Sequence, residues 1–168
     1  MRRAFTLIEL TVVIIVAGIL AALAIPAVNS VGASRGVAAA MELRRILAVA
    51  RSTAIASGRP TGIRFDAGSA LQSVWVKSAG ALPSALPGPF GVEEDPILLP
   101  IVFQGVSLSS VTLGDGQSGK VTCWFAFDGT PHSRTAGGAK SADWSADMQV
   151  QLSTGQTVVV RRITGLIE

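Results

Sequence analysis

FTLIELTVVIIVAGILAALAIPAV, residues 5–28, sets the organisation of the whole chain. No charged residue occurs from Leu10 to Val28, and about 19 residues of α-helix extend roughly 28 Å, close to the hydrocarbon thickness of a bilayer. A helix that is apolar on every side is rare inside so small a domain. Arg2 and Arg3 precede the run, which predicts a cytoplasmic N-terminus with the rest of the chain outside. The sequence therefore predicts one membrane-spanning helix.

The alternative is an ordinary secretory signal peptide that releases a soluble domain. Ala22-Leu23-Ala24 resembles the small-residue cleavage site of such a peptide. Glu9, at the start of the apolar run, argues against it. A carboxylate costs on the order of 2.5–3.5 kcal/mol at the centre of a membrane helix and less near the interface, and a disposable peptide has no reason to carry it. A retained helix is favoured, with the signal peptide kept as the alternative.

The string AFTLIE, residues 4–9, follows a short basic leader and precedes the apolar run. It resembles the N-terminus of type IV prepilins and type II secretion pseudopilins. The resemblance implies cleavage by a prepilin peptidase between Ala4 and Phe5, followed by N-methylation of Phe5. Family members usually carry glycine before the cut, where this chain has Ala4, which is small enough for the same pocket.

The same resemblance implies roles for Glu9 and Pro26. Glu9 lies four residues after the new N-terminus, so in a staggered fibre its carboxylate can meet the Phe5 ammonium of a neighbouring subunit. Pairing two charges in an apolar packing relieves their desolvation and sets the register; the simpler alternative is that Glu9 marks the membrane interface. Pro26 removes a helix hydrogen bond, and the resemblance implies a kink or local melting there on assembly.

After Pro26 the pattern becomes amphipathic, with apolar residues at steps of three and four. These residues are Ala40, Leu43, Leu47, Ala50 and Ala54, with Ile46 beside them, and Arg44, Arg45 and Arg51 lie between them as an expected solvated face. Gly58 followed by Pro60 is a stop signal. We expect one helix from about Phe5 to Ser57.

Beyond Gly58 the composition changes to β-branched runs separated by Gly, Pro and Ser. The predicted strands are Thr61–Asp66, Leu71–Lys77, Ile97–Phe103, Val106–Leu113, Val121–Phe127, Met148–Ser153 and Thr157–Ile163. Residues 82–89 are too proline-rich for a central strand, and Ser153–Gln156 is typical of a hairpin turn. The prediction is an α+β pilin fold in which the helix packs on an antiparallel sheet. Its parts are a leader (1–4), a transmembrane or fibre-core helix (5–28), its amphipathic continuation (29–57) and a β-rich head (58–168).

Three further segments indicate which group of pilin-like proteins the chain resembles. ARSTAIASGRPTGIRF (50–65), FAFDGTP (125–131) and the TGLI tail (164–167) are similar to segments of the general secretion pathway protein H and FimT group of minor pseudopilins. These motifs are looser than the N-terminal signature. Their resemblance covers the head in outline only.

The sequence contains few residues that could support catalysis or bind a metal ion. The chain has one histidine and one cysteine, which removes Cys/His zinc sites and an intrachain disulfide. His132, between Asp128 and Lys140, lacks the context of a nucleophile elbow, and we interpret it as a solvated loop residue. Cys123 is expected to be a small core residue. Asp115–Gly119 and Asp128-Gly129 lack the further oxygen ligands of a calcium loop and are interpreted as turns. We expect no enzyme, metal or cofactor.

Nucleic acid is not among the expected partners. Without the leader arginines, 14 − 2 = 12 basic residues face 11 acidic ones, so a general affinity for nucleic acid does not follow. Arg161 and Arg162 remain candidate DNA contacts, because some FimT-like minor pilins bind DNA through C-terminal arginines. Adjacent strand residues point to opposite faces, and no aromatic platform accompanies the pair. A solvated edge or a subunit contact is favoured.

These observations predict a structural minor pseudopilin of a type II secretion system, placed near the tip of a periplasmic fibre. It would be a single-pass protein of the bacterial inner membrane with a periplasmic head. Its partners would be other pseudopilins, the prepilin peptidase and the inner-membrane assembly platform. The alternative is a FimT/FimU-like minor pilin of a type IV pilus that takes part in DNA uptake.

Overall fold

The computed structural model describes residues 7–77, 81–88, 91–93 and 95–168, apart from the side chains of residues 23–30, 67 and 142. The chain divides into two compact units, residues 1–34 and residues 35–168. Helix α1, Leu7–Ser57, supplies residues to both.

Helix α1 ends where the sequence predicts. Gly58 follows it with a φ of 66°, in the left-handed region that glycine adopts without strain and that commonly terminates helices. The Ser57 hydroxyl donates to the carbonyl of Thr53 in the last turn. The predicted helix is confirmed over its described length. Among the described residues, no helix is both long enough and apolar enough to cross a membrane.

The rest of the chain forms short strands and one helical turn. In chain order these are β1 (Thr61–Asp66), β2 (Ala70–Trp75), β3 (Ser84–Ala85), β4 (Ile97–Leu98), α2 (Leu99–Val102), β5 (Leu108–Thr112), β6 (Thr122–Phe125), β7 (Pro131–Arg134), β8 (Lys140–Asp143), β9 (Met148–Leu152) and β10 (Thr157–Val160). A 3-10 turn, Ala67–Ser69, joins the first two strands.

The described strands build two antiparallel sheets. The first has the order β3-β2-β1-β6-β7-β8, with β4 also pairing with β2; the second has the order β10-β9-β5. The hairpin at 153–156 is confirmed, since Thr157 pairs with Gln151 and the Leu152 amide bonds to the Gln156 carbonyl. The predicted α+β class is confirmed, with a head of two sheets.

One hydrophobic core joins α1 to both sheets. The helix contributes a stripe at three- and four-residue spacing, as predicted: Ala39, Ala40, Leu43, Ile46, Leu47, Ala50 and Ala54. The first sheet contributes side chains such as Ile63 and Phe125, and the second contributes Met148 and Val158. Each fully buried Leu, Ile or Val stabilises the fold by about 1.5–3 kcal/mol. The helix and both sheets therefore share one core.

Several strand predictions were wrong at their ends or missed. Ile97–Phe103 is a two-residue strand followed by α2, because Pro100 fits the first turn of a helix and cannot donate in a sheet. Strands β7 and β8 were missed because Pro-His-Ser-Arg and Lys-Ser-Ala-Asp carry no alternation of apolar residues. Within residues 82–89, β3 is a two-residue edge strand against Val74 and Trp75.

The predicted solvated arginine face is correct only for Arg45, which is exposed and lies 2.6 Å from the Glu42 carboxylate. Arg51 instead reaches into the head, where its Nε donates to the Gly129 carbonyl (3.2 Å) and its Nη2 to the Thr164 carbonyl (2.9 Å). Arg44 is half-buried. The end of the helix is thus tied to two turns of the head.

His132 is not a solvated loop residue, because it lies in β7 and is 2% exposed. Its Nε2 lies 3.0 Å from Nη1 of Arg134. A guanidinium only donates, so Nε2 must accept and the ring is neutral. Burial, followed by the Arg134 charge, lowers the pKa of His132 to about 4. The next residue, Ser133, accepts a hydrogen bond from Nε1 of Trp144 (3.0 Å).

This depressed pKa predicts an acid-sensitive head. An unfolded histidine titrates near 6.5, so between pH 6.5 and about 4 the unfolded state binds more protons than the folded state. The stability that His132 contributes is complete above pH 6.5 and is lost as the pH falls towards 4, by up to about 3 kcal/mol. Urea unfolding across this range, followed by tryptophan fluorescence, measures it. His132→Gln should flatten the difference between pH 7 and pH 4.5, and an unchanged difference would refute the assignment.

A second prediction concerns the close contact of β1 with β6. A Cβ at Gly62 would lie inside contact distance of the Cys123 carbonyl oxygen and the Trp124 backbone, so Gly62→Ala must push paired strands apart. We expect a loss of roughly 1–3 kcal/mol of unfolding free energy, as for other overpacked sites. The matched control is Gly32→Ala in α1, where nothing lies within 4 Å of the added methyl and helix propensity favours alanine by roughly 0.5–1 kcal/mol. Equal effects in the two variants would contradict the prediction.

Candidate functional site

The N-terminal part of α1 presents a continuous apolar surface. Ten large apolar side chains between residues 7 and 20 are from 49% to 81% exposed, and they are Leu7, Ile8, Leu10, Val12, Val13, Ile14, Ile15, Val16, Ile19 and Leu20. Because many of them are consecutive, they cover every side of the helix. Exposed apolar surface on this scale marks a region that another apolar phase or protein covers.

Glu9 is the one charged residue in the sequence from Leu7 to Ser34. It lies in the first turn of α1 and is exposed, where its negative charge complements the positive end of the helix dipole. The nearby Thr11 hydroxyl is bonded inside the helix, donating to the Ile8 carbonyl at 2.9 Å. The carboxylate of Glu9 is therefore the charged feature of this apolar surface.

The other N-terminal site predictions stay predictions. Ala4 and Phe5, the predicted cleavage and methylation positions, lie outside the described residues. At position 26 the backbone of α1 is helical, and the side chain of Pro26 lies outside the description. The predicted rearrangement at Pro26 on assembly is thus untested.

Arg161 and Arg162 lie beyond the last strand, which ends at Val160 rather than at Ile163. The Arg161 guanidinium pairs with Asp147 (2.9 Å) and Glu168 (2.7 Å). The hydrogen bonds that it donates to these carboxylates, first of all to Glu168, raise its pKa. Arg162 donates its backbone amide to the Asp147 carboxylate and its Nη1 to the Ser145 carbonyl. The argument from alternating strand faces does not apply here. Both side chains are engaged within the head.

Cys123 and the two aspartate turns have structural roles. Cys123 is fully buried in the core, and burial raises the pKa of its thiol. The Asp115 carboxylate accepts from the Gln117 amide (3.1 Å), and that of Asp128 accepts from the Thr130 amide (2.9 Å). These are the side-chain-to-backbone bonds of Asx-turns. Within the described residues, no group of three or more His, Cys, Asp or Glu side chains could hold a metal ion.

The structure brings the three head motifs of the sequence together, which sequence reasoning did not foresee. Arg51 belongs to the helix-end motif, Gly129 to the FAFDGTP motif and Thr164 to the TGLI tail, and the two hydrogen bonds of the arginine join them. A Cβ at Gly165 would fall on the Gly129 carbonyl oxygen. The motifs are therefore parts of one packed junction.

Sequence reasoning also missed a basic cleft on the head, which has a volume of about 530 Å³ and is lined by residues that include Arg64, Lys120 and Arg134. The alternation of β1 could have signalled Arg64, because it lies between the core residues Ile63 and Phe65 and so must face outward. Arg134 could not be placed, because its strand carries no apolar period.

Comparison with known proteins agrees with this architecture. The fold resembles that of the minor pseudopilin EpsH from the type 2 secretion system of Vibrio cholerae, with a TM-score of 0.56 over 80% of this chain and 94% of that one. The two sequences are 13% identical, so this likeness concerns the fold alone. No curated protein sequence matches the chain. The family model of the type II transport protein GspH matches residues 39–164, which is most of the chain, including the packed half of α1 and nearly all of the head. The chain belongs to the GspH family of type II transport proteins.

Proposed function

We propose that this chain is a structural minor pseudopilin of a type II secretion system, which assembles through its N-terminal helix into a short periplasmic fibre and lies near the tip. The observation that carries the proposal is the exposed apolar surface of residues 7–22 in a chain whose residues 39–164 match the GspH family. The pseudopilin fold of the head agrees with it.

The apolar surface requires two successive environments. Leaving side chains of this size in water costs about 1.5–3 kcal/mol each relative to burial. Before assembly, lipid covers them, and the protein is a single-pass protein of the inner membrane with its head in the periplasm. In the fibre, the helices of other pseudopilins cover them, and contact with an inner-membrane assembly platform effects the transfer. Because the helix moves from one apolar environment to another, the hydrophobic effect contributes little to the association. Packing and polar pairs therefore determine its free energy.

Glu9 supplies the polar pair. Processing by a prepilin peptidase between Ala4 and Phe5 would create an ammonium group four residues before the carboxylate. In an apolar bundle neither charge is tolerated alone, so the Glu9 carboxylate of one subunit pairs with the Phe5 ammonium of its neighbour. Such a pair contributes register more than affinity, as a single buried polar group does in coiled coils.

The processing step gives the first prediction of this function. Protein isolated from membranes should begin at N-methylated Phe5, and its intact mass should lack residues 1–4. Intact-mass spectrometry with N-terminal sequencing measures both features. A mature chain that begins at Ile25 would establish the signal-peptide alternative and refute the proposal.

The second prediction concerns Glu9→Ala. This variant should insert normally, because it removes a polar group from the start of an apolar helix, and it should still be cleaved, because the peptidase acts at Ala4-Phe5. Assembly should fail, because a neighbour's Phe5 ammonium would be buried unpaired at a cost of roughly 3–5 kcal/mol. This cost lowers an association constant more than about a hundredfold. Co-purification of the processed subunit with other pseudopilins measures the loss.

Two control variants separate charge from local helix structure. Glu9→Gln keeps a polar side chain of the same size and should fail as Glu9→Ala does. Thr11→Ala removes a hydroxyl that donates to two carbonyls of its own helix and should assemble normally. Incorporation of Glu9→Gln at the wild-type level, with normal cleavage, would overturn the assigned pairing.

A further inference from the structure

Three neighbouring strands place two arginines on the outer face of the first sheet. In β1, Ile63 and Phe65 face the core, so Arg64 between them faces outward. Arg64 is paired in register with Thr122 of β6. On the other side of β6, Trp124 pairs with His132 of β7, and Arg134 lies two residues after His132 in the same strand, so it faces the same side of the sheet. Arg64, Thr122 and Arg134 line one cleft and thus form one row across the three strands.

This row lies in the cleft of about 530 Å³ on the head. Lys120 also lines the cleft, and Trp124, Leu82 and Pro83 give it an apolar side. The described residues that line the cleft include three cationic side chains and no carboxylate. The cleft is therefore a basic recess with an apolar wall.

The positive charge of the cleft is only partly compensated by the head itself. Arg134 donates to the Gly138 carbonyl (2.7 Å) and to His132, and burial lowers the pKa of its guanidinium. Lys120 lies 3.4 Å from the Asp66 carboxylate. In the part of the chain that the structure describes, neither Arg64 nor Arg134 forms an ion pair. Half-buried guanidinium groups without carboxylate partners favour an anion from outside.

We propose that this cleft binds the carboxylate side chains of an acidic, extended segment of a partner protein. A carboxylate between Arg64 and Arg134 can accept charge-assisted bonds from both guanidinium groups, with the Thr122 hydroxyl between them and an apolar neighbour of the acidic residue against Leu82 and Pro83. Nucleic acid fits the cleft less well, because Trp124 is only 3% exposed and offers no face for stacking bases. The inference concerns the head alone and does not rest on assembly through Glu9.

Fluorescence anisotropy with the full chain in a nonionic detergent tests the proposal. The probe is a fluorescein-labelled peptide of four Ala-Glu repeats with an amidated C-terminus, and the matched probe has four Ala-Gln repeats. We expect saturable binding of the acidic peptide that weakens with salt, and at least tenfold weaker binding of the neutral one. The same measurement is made with a labelled single-stranded DNA oligonucleotide as the probe, and with inorganic phosphate as a competitor of the acidic peptide. Equal binding of the two peptides, or tighter binding of the oligonucleotide, would overturn the proposal.

Variants of this chain locate the binding. Arg64→Gln should weaken binding about tenfold, and since Arg64 has no ion pair among the described residues, its loss should spare the fold. Arg134→Gln should weaken binding at least as much, whereas Asp66→Asn should strengthen it by releasing Lys120. Arg45→Gln, on the exposed face of α1, is the matched control and should bind as the wild type does. Wild-type affinity in Arg64→Gln, or equal losses in Arg64→Gln and Arg45→Gln, would refute the assignment.

Discussion

The head depends on the contact of one helix face with two sheets at once. Residues from Ala39 to Ala54 of α1 form the buried stripe, and both sheets supply side chains to the same core. The inner face of each sheet is covered by the helix. The second sheet consists of three strands and contributes residues such as Met148, Val150 and Val158 to the shared core. Removing the helix would expose both inner faces together. The folding of the head is thus coupled to the helix that leads into it.

The composition of that helix face explains how two sheets can share it. Alanines occupy both ends of the stripe, and larger side chains occupy its middle. Gly36 comes so close to the second sheet's hairpin that a Cβ there would overlap the side chains of Thr154 and Gln156. Small residues let backbones approach closely, while Leu43 and Leu47 fill the space between the layers. Near the C-terminal end of the helix, Arg51 contacts the head through hydrogen bonds to two turns instead of through apolar packing. One helix therefore sets the spacing of the layers and the positions of the turns.

The helix and the longer strands could be predicted because their signals are local and periodic. The stripe from Ala40 to Ala54, the stop at Gly58 and strand β1 appear in the sequence with the bounds that the structure has. Strand β7 could not be predicted, because its residues Pro-His-Ser-Arg are placed by pairing with β6 and not by their own pattern. His132 was misplaced for the same reason. The two hydrogen bonds of Arg51 join residues that are 78 and 113 positions apart in the sequence. No local sequence pattern can predict contacts over such distances.

The same distinction applies to function. The proposed assembly surface consists of consecutive residues, so composition alone identifies it as a surface that must be covered, and Glu9 interrupts it once. The proposed recognition surface of the head is formed by residues from separate strands. Arg64 and Arg134 are 70 positions apart in the sequence, and only the pairing of β1 with β6 and of β6 with β7 makes them neighbours. Single substitutions at outward-facing positions can therefore change the proposed recognition surface, while the inward positions of the same strands keep the core unchanged. Within β1, Arg64 is free to change because Ile63 and Phe65 on either side of it hold the strand against the helix.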